Sequence, residues 1–110
     1  MTLNDKQHIF SQNLAKLLLH VESLGLTCSI GEVYRTKEQA EIYVKQGIGI
    51  KDSQHCKKLA VDIHLFSNGK YLQMKSDYQP LADYWKSLHL ENRWGGDWKR
   101  VDAVHFEMQG

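Results

Sequence analysis

The sequence predicts an α+β domain, a small antiparallel sheet backed by helices. Three observations carry this. A long amphipathic stretch opens the chain, and a strand-length apolar run, "LAVDIHLF", leads straight into an Asn-Gly turn. Helical and extended patterns then alternate to the end, with no internal repeat or Pro/Ser-rich linker, so residues 1–110 are expected to form a single domain.

The elements follow in order. Ile9, Phe10, Leu14, Leu17, Leu18 and Val21 recur at helical spacing over residues 5–24, and Gly25 offers a left-handed stop. "LTCSIGEVYR" puts Leu26, Cys28 and Ile30 on one face and predicts a strand. Thr36 with Gln39 has the form of a capping box for a second helix to about Val44, closed by Gly47. "KQGIGIKDSQ" is a polar, glycine-bearing loop. "LAVDIHLF" is the second strand, and "NGKYLQM" its hairpin partner through Asn68-Gly69. Asp77 is expected to cap a third helix, with Pro80 in the first turn, where amides lack partners anyway. Tyr78, Leu81, Trp85 and Leu88 form its buried stripe. "GGD" reads as a tight turn, and "AVHFEM" as a final strand.

Composition narrows the function. The chain has 110 residues, 42% of them hydrophobic, with 14 basic against 13 acidic side chains and a net charge of +1. No basic stripe stands out, so neither a nucleic-acid partner nor stable membrane association has electrostatic support. The N-terminus has no positive region ahead of an unbroken apolar run, so synthesis is expected to leave the chain in the cytoplasm. Cys28 and Cys56 are then reduced thiols, and without a CxxC pattern they do not suggest a cysteine-rich zinc knuckle.

The chemistry gathers in "SQHCKKLAVDIHL", residues 53–65, and in the tail. Catalytic zinc sites use three protein ligands from His, Asp or Glu and leave one position open. His55, Asp62 and His105 are the candidates, with Asp102 three residues before the last. Each has a plainer reading: a loop histidine, a structural carboxylate paired with Lys or Arg, a hydrogen-bonded core imidazole, a turn acid. Asp62 is the hardest to dismiss, because an unpaired carboxylate in an apolar strand is costly. The three groups meet only if the "LAVDIHL" and "AVHFEM" strands are neighbours. His64 shares the face of Asp62 and is expected to stand behind the ligands or toward substrate. Glu107 is a rival base, more plausibly a surface group or a partner of His105. Arg93, Lys99 and Arg100 read as solvated charges, one of them a possible partner for substrate carboxylates. Trp94 and Trp98 read as core and site wall. His8, His20 and His89 are assigned to helices.

The pattern S-x-H-x-x-x-x-A-x-D at Ser53, His55, Ala60 and Asp62 resembles the zinc signature of the D-alanyl-D-alanine carboxypeptidase and L-alanyl-D-glutamate endopeptidase family. "WGGDW" at Trp94–Trp98, with Asp102 to Glu107, is similar to the tail of its phage endolysin branch, and so is "YRTKEQ" at Tyr34–Gln39. The resemblance implies the fold shared with the hedgehog signalling domain and hydrolysis of peptidoglycan stem peptides. It makes His55, Asp62 and His105 ligands of Zn2+, Asp102 the general base, Arg35 the cation for the scissile carbonyl or a substrate carboxylate, and Ser53 a substrate-side neighbour. One departure is Lys58, where the family carries glycine, which implies a somewhat different loop. The expected enzyme is a monomeric endolysin cutting the L-alanyl-D-glutamate bond and depending on a membrane-permeabilising partner to reach the wall. The alternatives are a D-alanyl-D-alanine carboxypeptidase or dipeptidase, and an inactive zinc-stabilised binding module.

Overall fold

The computed structural model describes residues 1–49 and 53–110. Helix α1 spans Leu3–Ser23, strand β1 Thr27–Ile30, α2 Lys37–Lys45, β2 Ala60–Ser67, β3 Lys70–Tyr71, α3 Lys75–Leu88, β4 Asn92–Trp94 and β5 His105–Met108. The strands lie in the order β1-β2-β5-β4, with β3 paired to the end of β2, and every pairing is antiparallel. This is the α+β layout expected. No helix among the described residues is long and apolar enough to cross a membrane.

Alternation along the central strands divides the sheet into two functional faces. Val61, Ile63 and Leu65 of β2, with Phe106 and Met108 of β5, point into the core and are fully buried. Phe10, Leu17 and Val21 of α1 and Tyr78, Leu81, Ala82 and Trp85 of α3 join them there. Phe10 meets the edge of Trp85 at a centroid distance of 5.6 Å, and Trp85 meets Phe106 at 6.3 Å. The opposite face carries Asp62, His64, His105 and Glu107. The strands "LAVDIHL" and "AVHFEM" are therefore neighbours, and their register sets Asp62 against His105.

Local details refine the sequence reading. Thr36 caps α2 by accepting from the Gln39 amide at 3.1 Å, and positive φ at Gly25 and Gly47 follows both helices as expected. The Asn68-Gly69 turn has φ of 51° and 79°, the left-handed pair that matches hairpin twist. β1 is shorter than predicted and its Ile30 is exposed, although the chain still bonds to Asp62 of β2 through Gly31 and Glu32. The short β4 was not foreseen. Of the 47–54 loop, residues 50–52 lie outside the described residues.

α3 corrects one expectation. The helix begins at Lys75, and Asp77 acts from its third position, its carboxylate accepting the Met74 amide at 3.1 Å. Pro80 consequently lies beyond the first turn and removes an interior bond to the Ser76 carbonyl. Both residues are exposed, so water takes the freed acceptor. The misreading is confined to the start of the helix, at Asp77 and Pro80; Tyr78, Leu81 and Trp85 line the buried stripe as predicted, and Leu88 is partly buried.

Tyr78 ties α3 to the hairpin. Its hydroxyl donates to the Leu72 carbonyl at 2.8 Å and accepts from the Leu65 amide at 3.1 Å, and burial pushes its pKa up to about 12. Replacing Tyr78 with Phe orphans a buried amide on β2. The expected cost is about 1–3 kcal/mol, measured by urea denaturation, with the wild-type far-ultraviolet dichroism retained.

Candidate metal centre and cleft

The site face of the sheet borders a cleft of about 410 Å³. Its lining brings together Arg35, Ser53, His55, Asp62, Trp98, Arg100, Asp102 and His105, from sequence segments that are far apart. The side chains arrive by different routes. Asp62 projects from β2 and His105 from the first position of β5. His55 comes from the single helical turn Gln54–Lys57. Ser53 opens that turn, its Oγ accepting the His55 amide at 3.2 Å. The turn is closed by Lys58, which takes the left-handed conformation itself at φ 59°. Lys58 was expected to imply a somewhat different loop; it instead adopts the left-handed conformation that glycine takes most easily, at some steric cost.

One ligand atom from each of His55, Asp62 and His105 lies within 4.8 Å of the other two. His55 Nε2 is 3.4 Å and His105 Nδ1 3.3 Å from the same oxygen, Asp62 Oδ1. These gaps are long for N–H···O hydrogen bonds, whose mode is about 2.9–3.0 Å. They match the edge of a tetrahedron of ligands about 2.0–2.1 Å from a common centre, which is about 3.3–3.4 Å. The donor set, two imidazole nitrogens and a carboxylate oxygen, fits a borderline-soft divalent cation such as Zn2+.

The outer ring nitrogens determine which lone pairs face inward. His55 Nδ1 lies 3.2 Å from the Val33 carbonyl, an acceptor only, so it carries the proton and Nε2 is free to bind. His105 Nε2 lies 2.7 Å from Glu107 Oε1, which leaves Nδ1 inward. Burial opposes charge on Asp62, but the imidazoles of His105 and His55 beside its Oδ1 outweigh it and hold the carboxyl well below the usual carboxylate range. Burial likewise opposes an imidazolium at His105, yet the bonds to Asp62 and Glu107 push its pKa up to about 9.

Around this focus stand the other expected groups. Asp102 is solvent-accessible at the cleft, but partial burial of its carboxyl pushes its pKa upward against the pull of His105. Its approach depends on Gly95: a Cβ there would meet the Asp102 carbonyl at 2.3 Å, so only glycine lets the 95–97 turn close over the 102–105 turn. Arg35 lines the opposite wall. Its Nε donates to Glu32 at 2.7 Å, Nη1 donates to Ser53 Oγ at 3.2 Å, and its guanidinium covers the Tyr43 ring at 4.9 Å. Trp98 packs on His105 with centroids 4.8 Å apart, and Trp94 is core, as the sequence indicated.

Other readings change. His64 does not line the cleft; its Nδ1 meets the Tyr71 hydroxyl at 3.0 Å, and Gly31 packs against its other nitrogen. The run of β1 into Gly31 covers that end of the face, which turns His64 toward the hairpin. Glu107 is no surface group. It is 2% exposed, its two oxygens face His105 and Arg93, and it does not line the cleft where a water would attack. Arg93 keeps a half-exposed side chain but is also the ion-pair partner of Glu107, which the sequence did not show. His89 follows α3 rather than lying in it, and its Nδ1 accepts the Glu91 amide. The sequence reading missed Glu32 and the Arg93 pairing; an acid three residues before Arg35 was the only local signal.

Comparison with known proteins agrees with this geometry. Residues 47–108 match a family model described as D-alanyl-D-alanine carboxypeptidase. A solved structure, the L-Ala D-Glu endopeptidase ChiX of Serratia marcescens, is similar in fold with a TM-score of 0.65 and 24% identity, over 76% of this chain and 68% of that one. No curated protein sequence matches.

The metal-free cluster has a defined pH signature. His105 in the fold has a pKa of about 9 against an ordinary 6.5, so its imidazolium stabilises the fold fully below about 6.5 and ceases to as pH rises through about 9. The melting temperature of chelator-treated protein is expected to fall between pH 7 and 10. His105→Ala should flatten that decline.

Proposed function

The chain belongs to the D-alanyl-D-alanine carboxypeptidase family, a family of metallopeptidases, and from that premise we propose that it is a zinc-dependent endolysin that hydrolyses the L-alanyl-D-glutamate bond of peptidoglycan stem peptides. The observation that carries the reading is the meeting of His55, Asp62 and His105 at one point of a cleft that also holds Asp102 and Arg35. The endopeptidase choice over a terminal carboxypeptidase rests on resemblance to the endolysin branch, in the "WGGDW" tail and in aspartate at position 102, where the carboxypeptidase relatives carry glutamate.

His55, Asp62 and His105 would hold the ion. When bound, it supplies Lewis acidity, acidifying water and polarising the scissile carbonyl. The remaining work falls to the protein. Asp102, with a carboxyl shifted upward by its surroundings, accepts the proton of the attacking water and delivers it to the leaving amine. Arg35 is held in place by Glu32, Ser53 and Tyr43, so its charge is preorganised against the oxyanion or a substrate carboxylate. Ser53 Oγ already accepts from His55 and Arg35, which leaves its hydroxyl proton for substrate. Trp98 walls the cleft and limits water around the reacting bond. In a lytic role, the enzyme acts on the wall after a partner permeabilises the membrane.

His55→Ala or His105→Ala should abolish stoichiometric zinc and activity together, whereas His64→Ala should keep one ion per chain by elemental analysis. Loss of the ion in His64→Ala but not in His55→Ala overturns the ligand set.

Asp102→Ala should retain the ion and the fold, yet lower turnover by roughly 10²–10⁴ on purified sacculi. Mass spectrometry of the released fragments should show new N-terminal D-glutamyl ends. Free D-alanine as sole product points to carboxypeptidase action, and wild-type protein that releases nothing points to a binding module.

A further inference from the structure

The ion pair between buried Glu107 and half-exposed Arg93 has no place in that reaction. Glu107 touches neither the cleft nor the point where the ligand atoms meet, and Arg93 stands farther out on β4. A carboxylate that is 2% exposed is costly to keep unless something requires it. What it faces is specific. Oε1 receives His105 Nε2 at 2.7 Å, while Oε2 receives Arg93 Nε at 3.0 Å and a second, shorter contact from Nη2.

We propose that Glu107, anchored by Arg93, is a positioning residue that fixes the ring orientation and tautomer of His105 so that Nδ1 faces the metal. The proposal rests on the metal reading of the site and deepens it. Arg93 and Glu107 are direct cross-strand partners, so their contact is set by backbone register and not by chance side-chain reach. Trp85 fastens that register from the core side, its Nε1 donating to the carbonyls of both residues, at 3.1 Å to Arg93 and 3.0 Å to Glu107. Ala60, the partner of Glu107 on β2, is small and leaves the carboxylate room to lie along the sheet toward His105. With Oε2 clamped by the guanidinium, Oε1 is the acceptor presented to Nε2–H. A histidine rotated about its ring axis, or protonated on Nδ1, would offer the ion no lone pair. Such outer partners of a ligating histidine typically govern metal affinity by 10–100-fold.

The test uses full-length protein and Zn2+ alone, with affinity read by competition against a chromophoric chelator. Glu107→Leu, close in volume and without an acceptor, should weaken zinc binding by about 10–100-fold. Arg93→Leu should weaken it less, and the double variant should bind no more weakly than Glu107→Leu, since Arg93 acts only through Glu107. Imidazole nitrogen resonances of the zinc-loaded wild type should place the His105 proton on Nε2, and that proton should lose its exchange protection in Glu107→Leu. A pair with a merely structural role would lower the melting temperature of metal-free protein and leave zinc affinity and the tautomer unchanged; that result overturns the proposal. If Glu107→Leu does not fold, Arg93→Leu decides by the same readouts, its side chain being half exposed. Wild-type protein that fails to bind zinc at all would sink the metal reading itself, a result distinct from variants that bind as wild type does.

Discussion

Everything at the site hangs on one register, the antiparallel pairing that sets Asp62 of β2 opposite His105 of β5. A slip of one residue would turn Asp62 into the core and Val61 into the cleft. The hydrophobic face prevents it. Val61, Ile63, Leu65, Phe106 and Met108 are all fully buried against α1 and α3, and each contributes about 1.5–3 kcal/mol by burial. A slip would forfeit that burial and also place the Asp62 carboxylate in the apolar core, which costs several kcal/mol on its own. The apolar side of the sheet thus holds the charged side in place. Trp85, reaching from α3 to carbonyls on both β4 and β5, extends the same control to the outer strand.

The polar face is arranged as a graded set of donors and acceptors. Asp62 sits between two imidazoles and stays ionised, while each imidazole hands its outer N–H to an acceptor, the Val33 carbonyl or the Glu107 carboxylate. The inner lone pairs therefore converge without needing rearrangement. Without an ion, a proton takes this place, which is why the pKa of His105 stands near 9. Metal and proton compete for one electron pair, so affinity and pH are coupled by construction. Asp102, by contrast, has no ion-pair partner among the described residues and is pushed upward by burial, toward the range where a carboxylate accepts a proton readily.

Much of this was legible in the sequence, for physical reasons. Asp62 announced itself because a carboxylate in "LAVDIHL" demands a partner, and the demand implied that the two strands be neighbours. The Asn-Gly hairpin and the Thr36 cap were readable because local chemistry alone decides them. What could not be read depends on register between distant segments. Arg93 read only as a solvated charge because its partner lies fourteen residues on, across a three-residue strand too short to show a pattern. His64 shares a face with Asp62, but its pairing with Ser29 and the close passage of Gly31 were needed to show that it turns to the hairpin. Pro80 was misplaced because Asp77 was read as the cap itself when it reaches back to the cap from the third position.

The remaining division is between strands and loops. The ligand atoms come from β2, β5 and a single turn tied to β2, so their spacing is set by the sheet. The groups that would meet substrate come from elsewhere: Arg35 from the connection between β1 and α2, Trp98, Arg100 and Asp102 from that between β4 and β5. Such connections tolerate change that a sheet does not. A fold of this kind can keep one metal geometry while its loops alter which carboxylates and which side of a peptide bond the cleft accepts. The 24% identity to a structural neighbour of the same fold is consistent with that freedom, since the register needs only alternating apolar residues and a handful of polar ones. On the proposed reading, bond choice would lie with the loops flanking the cleft, and the ligand spacing with the sheet and the turn tied to it.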